Sequence, residues 1–406
     1  MLHVDAVVLS AGQKMRTLVL ADLHLTRSTP SRVTSDLAEL VTAHPGSRII
    51  FAGDLLDLSA EAPPEGARAP TAEEALSSHP AVRSALGRHL DAGGELWLAA
   101  GNHDADVGLQ GFPELLGTSL GISSQARARI KTSPWFFRHG GLHVEHGHLY
   151  DPDNAPAHPL VSGESCLGVH FVEEFIAPTR AHAYLNANDG TPLKMFLSSF
   201  RLYGVRAPYL IYRFFHTACT ALLKSGPLYR ADREWDLGAD LVPAFALESG
   251  VPSSMVDDVL GLRAAPTLKS FEATFARLYL DRVASSVALL TGAGALIAGK
   301  NSLGTASLAL GAIGLAASWA RGHNRYGGNV LERLERSAAH VAGAAGAKLV
   351  VFGHTHAEAL TGSYANTGSF SFPRGAPGRP FLEIEGSLEA PRAVRRYFVA
   401  PSRASA

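Results

Sequence analysis

Cysteine is almost absent. The 406 residues hold two, Cys166 and Cys219, far apart and in neither C-x-x-C nor metal-knuckle spacing. That excludes a disulfide framework, fits a reducing compartment, and leaves both expected as buried apolar residues. Net charge is lacking too. Lys and Arg number 36 against 37 Asp and Glu, which argues against a general nucleic-acid surface and leaves partners to be sought site by site. The stretch 1–13 carries Asp5 where a signal peptide wants positive charge, so export is not expected. What the chain does have is apolar residue, 46% of the total, enough to bury a sizeable core in one large domain or two smaller ones.

Five apolar, β-rich runs each end in a polar cluster. Residues 16–22 lead into Asp22-Leu23-His24, and alternation on extended backbone would put Asp22 and His24 on one side with Leu23 in the core. Residues 47–52 lead into Gly53-Asp54-Leu55-Leu56-Asp57. Asp54 stands where a carboxylate would bridge two cations; Asp57 either turns back to the same place or stabilises the N-terminus of a following helix. Residues 94–100 lead into Gly101-Asn102-His103-Asp104, where Gly101 is expected to turn the chain sharply and project Asn102 and His103 from the carboxyl edge of a sheet. Residues 141–145 lead into His146-Gly147-His148. His146, at the strand's exit, is read as a ligand and His148 as its neighbour or as substrate-facing; Asp151, Asp153 and Asn154 are either loop caps or part of the site. Residues 347–352 lead into Gly353-His354-Thr355-His356, a second alternating pair of metal-competent side chains.

Between these runs, helices are expected over about 35–43 and over 72–90, with a break at Pro80. A Pro/Ala/Gly-rich loop covers 61–70. Residues 130–137 read as a further strand, 364–369 as a turn near the site, and 381–385 and 394–399 as closing strands. Strands alternating with helices predict an α/β protein with a mostly parallel sheet and crossover helices.

D-x-H, G-D-x-x-D, G-N-H-D, H-G-H and G-H-T-H, in that order and each at a strand end, resemble the calcineurin-like metallophosphoesterase superfamily. The resemblance covers about 16–156 and 347 to the last strands. It implies a two-sheet metallophosphoesterase sandwich with two metals at its rim, divided as a first core part (1–156), a large helical insertion or cap (157–343) and a second core part (344–406). By motif, Asp22, His24 and His356 would hold one metal, Asn102, His146 and His354 the other, and Asp54 would bridge them. His103 would be the catalytic histidine, oriented by Asp57. The implied cofactors are two divalent ions, manganese first with iron or zinc as alternatives. The implied activity is hydrolysis of phosphoric esters or anhydrides, with a lipid-linked diphosphate as one substrate. UDP-2,3-diacylglucosamine hydrolases of lipid A synthesis are similar in core motifs, but typically show G-N-R-D where this chain has G-N-H-D, and their cap does not match 160–343. A soluble nucleotide or nucleic-acid phosphodiesterase is the enzymatic alternative, and a membrane-associated scaffold without turnover the non-enzymatic one. The intact ligand set with His103 argues against the scaffold.

The insertion contains a stretch, 285–320, that is almost free of charge. Its two arms around Lys300-Asn301 are each near the roughly 17–25 residues needed to cross a bilayer, and Gly292, Gly294, Gly304, Gly311 and Gly314 would let two helices pack closely. The alternative is an Ala/Gly-rich pair buried in soluble protein or in a homo-oligomer. A single crossing would part Asp22, Asp54, Asn102 and His146 from His354 and His356. The stretch therefore crosses twice, with Lys300 near the tip, or not at all. Arg277, Arg282, Arg321 and Arg325 flank its base and would keep the rest of the chain on the cytoplasmic face of the inner membrane; without crossing, the protein is cytoplasmic. Upstream, Arg201, Tyr203, Arg206, Tyr209, Tyr212, Arg213, Phe214 and Phe215 interleave cations with aromatics. That composition suits lipid headgroups, an anionic substrate, single-stranded nucleic acid, or a plain helical cap with snorkelling arginines.

Overall fold

Runs as apolar as Leu18–Leu20 and Ile49–Ala52 are buried on both faces, a condition met by a sheet covered on both sides. A computed structural model describes residues 15–61, 71–161, 166–181, 192–229, 231–322, 330–375, 377–387 and 389–400. The segment 1–13, most of the expected 61–70 loop and Arg325 lie outside the described residues. The strands are β1 (Thr17–Leu20), β2 (Arg48–Ala52), β3 (Glu95–Ala99), β4 (Ile130–Ser133), β5 (Phe136–His139), β6 (Leu142–Glu145), β7 (Leu349–Phe352), β8 (Glu358–Thr361), β9 (Tyr364–Thr367), β10 (Arg379–Ser387) and β11 (Ala390–Phe398). They form two mixed sheets, ordered β11-β10-β1-β2-β3-β4 and β5-β6-β7-β9-β8. The chain is thus a mixed α/β protein with two sheets and a helical region.

In the first sheet β1 to β4 run parallel and β10 joins β1 antiparallel. In the second, β6, β7 and β9 run parallel between antiparallel edges. The sheets face each other through Val19, Ile50, Trp97, Val144, Val351 and Ala365. Helices Ser31–Ala43, Pro80–Asp91 and Phe112–Leu120 cover the outer face of the first sheet through Leu37, Leu40, Val82, Leu86 and Phe112. Helices Ala231–Ser249, Ser253–Leu260 and Val330–Ala344 cover the second through Phe245, Val256, Val259, Leu334 and Val341. Part of the region 157–343 is therefore a layer of the sandwich.

Local signals place several boundaries. Thr71 and Glu74 form a reciprocal capping box that starts Ala72–Ser77, and Pro80 opens the next helix at a position where no backbone donor is missed. The expected break at Pro80 is present. Residues 364–367, expected as a turn, instead form β9 paired to β7. The Asn and Gly that signal a turn are satisfied otherwise: Asn366 is fully buried, donates to Gly353 O at 2.6 Å and accepts from Gly368 N at 3.0 Å. Cys166 is buried, but Cys219, also expected inside, is exposed. It lies on the helix Ala207–Leu223, whose buried face is formed by Leu210, Thr217, Ala218 and Ala221.

Lys300 separates two antiparallel helices, Leu280–Ile297 and Asn301–Ala320. Both are long and apolar enough to cross a membrane, and most of their residues are not buried by the rest of the chain.

Candidate metal centre

Every candidate side chain stands just beyond the carboxyl end of a parallel strand. Asp22 and His24 follow β1, Asp54 and Asp57 follow β2, Asn102 and His103 follow β3, His146 follows β6, and His354 and His356 follow β7. Backbone bonds stitch the loops together: Asp22 N to Gly53 O at 3.3 Å, His24 N to Asp54 O at 2.9 Å and Gly353 N to His146 O at 3.0 Å.

The D-x-H and H-x-H pairs are not on extended backbone. Asp22, His24, Asp54, His354 and His356 have φ of 54, 46, 51, 70 and 54°, in the left-handed region that costs a residue with a Cβ about 1–2 kcal/mol. The pairs meet because the chain curls at each strand end. Gly101 likewise acts differently from the expected turn. It does not adopt a positive φ, but a Cβ there would lie 2.1 Å from Asp54 Oδ1 and 2.6 Å from Asp54 N. Its lack of a side chain admits the Asp54 carboxylate.

Two groups of donor atoms result. In the first, Asp22 Oδ1 lies 3.7 Å from His24 Nε2 and 3.2 Å from His356 Nε2, and the two ring nitrogens are 3.1 Å apart. In the second, His146 Nε2 lies 3.1 Å from Asp54 Oδ2 and 3.2 Å from Asn102 Oδ1. Asp54 Oδ2 is also 3.7 Å from His24 Nε2 and so stands between the groups. His354 packs edge-on against His146, with ring centroids 5.2 Å apart. Its Nε2 meets Asp151 Oδ2 at 3.0 Å and its backbone N donates to Asp22 Oδ2 at 2.9 Å.

These atoms fit divalent cations. His146 Nδ1 lies 2.9 Å from the Ala52 carbonyl, so that nitrogen carries the proton and Nε2 offers a lone pair toward two oxygen acceptors. A cation, or a second proton on the ring, has to satisfy all three. Asp22 Oδ1 is fully buried and faces ring nitrogens at 3.2 and 3.7 Å without a well-aligned hydrogen bond among the described residues. Imidazole, carboxylate and amide oxygen together suit manganese, iron or zinc.

A third grouping centres on Asp57. Its Oδ2 lies 3.2 Å from His24 Nδ1 and its Oδ1 3.0 Å from His103 Nδ1. The same carboxylate accepts from Ser59 Oγ at 2.8 Å and Ala60 N at 3.0 Å. Asp57 therefore orients both rings while capping its own turn, and no described helix starts at this point.

Comparison of the chain with protein-family models and with curated proteins finds no match.

Burial penalises every charge in the site, and the carboxylate–imidazole contacts outweigh it for most groups. Asp22 is held below the usual carboxylate range by His356 and His24 despite its burial. Asp54 is held down against burial by His146 and His103, and Asp57 by His103 and His24. In return His146 rises to about 9 against burial, through Asp54, and His103 rises through Asp57 and Asp54. His148 goes the other way, driven down by burial and by the neighbouring His146 and His354.

Three further residues belong to the site: Asp104, to which the sequence assigns no role, and Asp151 and Asn154, whose turn composition suits a loop cap equally well. Asp104, the last residue of G-N-H-D, accepts from Gly101 N at 2.7 Å, Asp54 N at 3.2 Å and Leu56 N at 3.2 Å, closing the loops after β2 and β3 on each other. Burial and the adjacent Asp54 push its carboxyl up to about 6. Asp151 and Asn154 touch His354 and Asn102. The signal for Asp104 was its place in the motif; for the other two only the turn composition was visible. A cavity of about 350 Å³ lies beside Asn102, His103 and His148 and is lined also by Leu58, Leu109, Phe112, Leu160 and Val169.

Proposed function

We propose that this chain is a dinuclear-metal-dependent hydrolase of phosphoric esters or anhydrides, with the fold and centre of a calcineurin-like metallophosphoesterase. The observation that carries the reading is the position of Asp54, whose Oδ2 stands 3.7 Å from His24 Nε2 and 3.1 Å from His146 Nε2. Asp22, His24 and His356 would hold one ion, Asn102 and His146 the other with His354 nearby, and Asp54 would serve both. Two divalent ions there, manganese first and iron or zinc as alternatives, would neutralise phosphate oxygens and activate water for attack on phosphorus. His103 stands in the wall of the adjoining cavity. Asp57 takes its Nδ1–H and favours the imidazolium, which leaves Nε2–H to protonate or hydrogen-bond a leaving-group oxygen.

The apolar residues of the cavity wall and the exposed hairpin favour a phosphorylated substrate with an apolar part, such as a lipid-linked diphosphate, met at the cytoplasmic face of a membrane. Purified, manganese-reconstituted protein should hydrolyse such a diphosphate faster than soluble nucleotides or aryl phosphodiesters. Asp54→Asn should lower both manganese affinity and turnover by more than the about 10–100-fold typical of changes outside the ligand set. Wild-type hydrolysis by that variant would sink the dinuclear reading, and a preference for soluble esters would sink the lipid one.

A further inference from the structure

One loop touches both the donor atoms and the helical insertion. After β6 the chain passes His146 and a single turn, His148–Tyr150, and enters Asp151-Pro152-Asp153-Asn154. Asp151 Oδ2 receives His354 Nε2–H at 3.0 Å and Asn154 Nδ2–H at 2.8 Å. Asn154 Oδ1 in turn receives Asn102 Nδ2–H at 3.3 Å. Both contacts decide chemistry. With its proton on Nε2, His354 keeps the Nδ1 lone pair that a metal ligand needs. With its amide nitrogen toward Asn154, Asn102 presents Oδ1 rather than NH2 toward His146.

The far side of the loop is fixed by the insertion. Asp153 Oδ1 accepts from Thr267 Oγ1 at 2.6 Å, and its Oδ2 is paired with the Arg277 guanidinium. Backbone bonds add Thr267 N to Pro152 O at 2.8 Å, Ala264 N to Leu149 O at 2.9 Å and Gly168 N to Asp153 O at 2.9 Å. Arg277 ends the helix Phe271–Arg277. Three residues later the first hairpin helix begins, entered through Tyr279 at a φ of 56°.

We propose that Asp151 and Asn154 are positioning residues for His354 and Asn102, and that the insertion holds them in place through Arg277 and Thr267 on Asp153. The proposal rests on the dinuclear reading of the site. It makes the insertion part of the scaffold of one ion and not only a cover or an anchor. Removing the acceptor from His354 leaves its tautomer and ring orientation unset; removing Arg277 leaves a partly buried carboxylate unpaired and frees the loop.

The test is manganese binding by the full chain, followed by calorimetry, metal analysis and low-temperature electron paramagnetic resonance. Wild type should bind two ions with the spectrum of a coupled pair. Asp151→Ala should keep one ion and weaken the other by about 10–100-fold, shifting the spectrum to isolated manganese at equal loading. Asp151→Asn, whose amide oxygen still accepts the Nε2–H, should restore most of the loss. Arg277→Met and Asn154→Ala should weaken the same ion, and they carry the test if Asp151→Ala fails to fold. Two ions at wild-type affinity in Asn154→Ala and Arg277→Met, and in Asp151→Ala wherever it folds, would overturn the positioning role while leaving the metal centre intact. A wild-type protein that takes up no divalent ion would overturn the metal reading and this proposal together.

Discussion

His103 lies in a buried set of contacts in which its charge is set by its neighbours. Burial disfavours the imidazolium, but Asp57 Oδ1 at 3.0 Å and the Asp54 carboxylate raise its pKa above the ordinary value. The cationic form is therefore present below the raised value and is lost as pH rises through it. If that form donates to the leaving oxygen, the alkaline limb of the rate profile reports it. Asp57→Asn should move that limb to lower pH and reduce kcat, and His103→Gln should lose about 10²–10⁴-fold in kcat while leaving ion binding intact. An unmoved alkaline limb in Asp57→Asn would remove His103 from the proton-transfer role. The residue types across the whole centre were legible in the sequence. Their backbone was not: left-handed φ at five of them depends on how loops from separate strands share hydrogen bonds.

The hairpin is the element whose sequence reading and structure correspond most directly. Helices of 18 and 20 residues rise about 27 and 30 Å, close to the roughly 30 Å hydrocarbon thickness of a bilayer. Gly292, Gly304 and Gly311 sit where the helices touch, whereas Gly294 faces open space. That distinction fixes a test. A Cβ at Gly311 would meet Leu289 Cγ and Ser285 O, each at 2.8 Å, so Gly311→Leu should part the helices and destabilise the hairpin by about 1–3 kcal/mol. Hydrogen exchange should show lost protection across 280–320, and Gly294→Leu should show none. Equal protection in both variants would contradict close packing of the pair. The sequence supplied the small residues, but their faces depend on the register of one helix against the other.

In the assembled protein, arginines close the base of the hairpin. Arg282 Nε donates to Ser318 Oγ at 3.0 Å, and Arg321 pairs with Glu272 at 3.1 Å. With Arg277 on Asp153, all three described basic residues of the base have protein partners. Outside that base the hairpin presents Leu290, Ile297, Leu310 and Ile313, all well exposed. Exposed apolar side chains in this number need a membrane or another protein surface to cover them. The full chain should therefore float with liposomes and resist carbonate extraction. A variant with 283–317 replaced by a short Gly/Ser linker, leaving the Arg282–Ser318 closure in place, should be released and still bind two manganese ions. Release of the full chain by carbonate would exclude integral insertion, and loss of both ions in the shortened variant would show that the hairpin supports the centre itself.

The apolar strands, the polar clusters at their ends, the helix break at Pro80 and the turn at Lys300 can be read directly from the chain. Each of these follows from local periodicity, capping and chain stiffness acting over a few residues. Tertiary structure alone decided which clusters converge, since His24 and His356 meet across 332 positions of chain. It also decided that Asn366 lies in a strand, that Gly101 makes room for Asp54, that Cys219 faces outward, and that Asp151 and Asn154 reach His354 and Asn102. Those outcomes depend on where a polar group finds its partner or a small residue its neighbour, and the partners here belong to distant segments that only the packed sheets bring together.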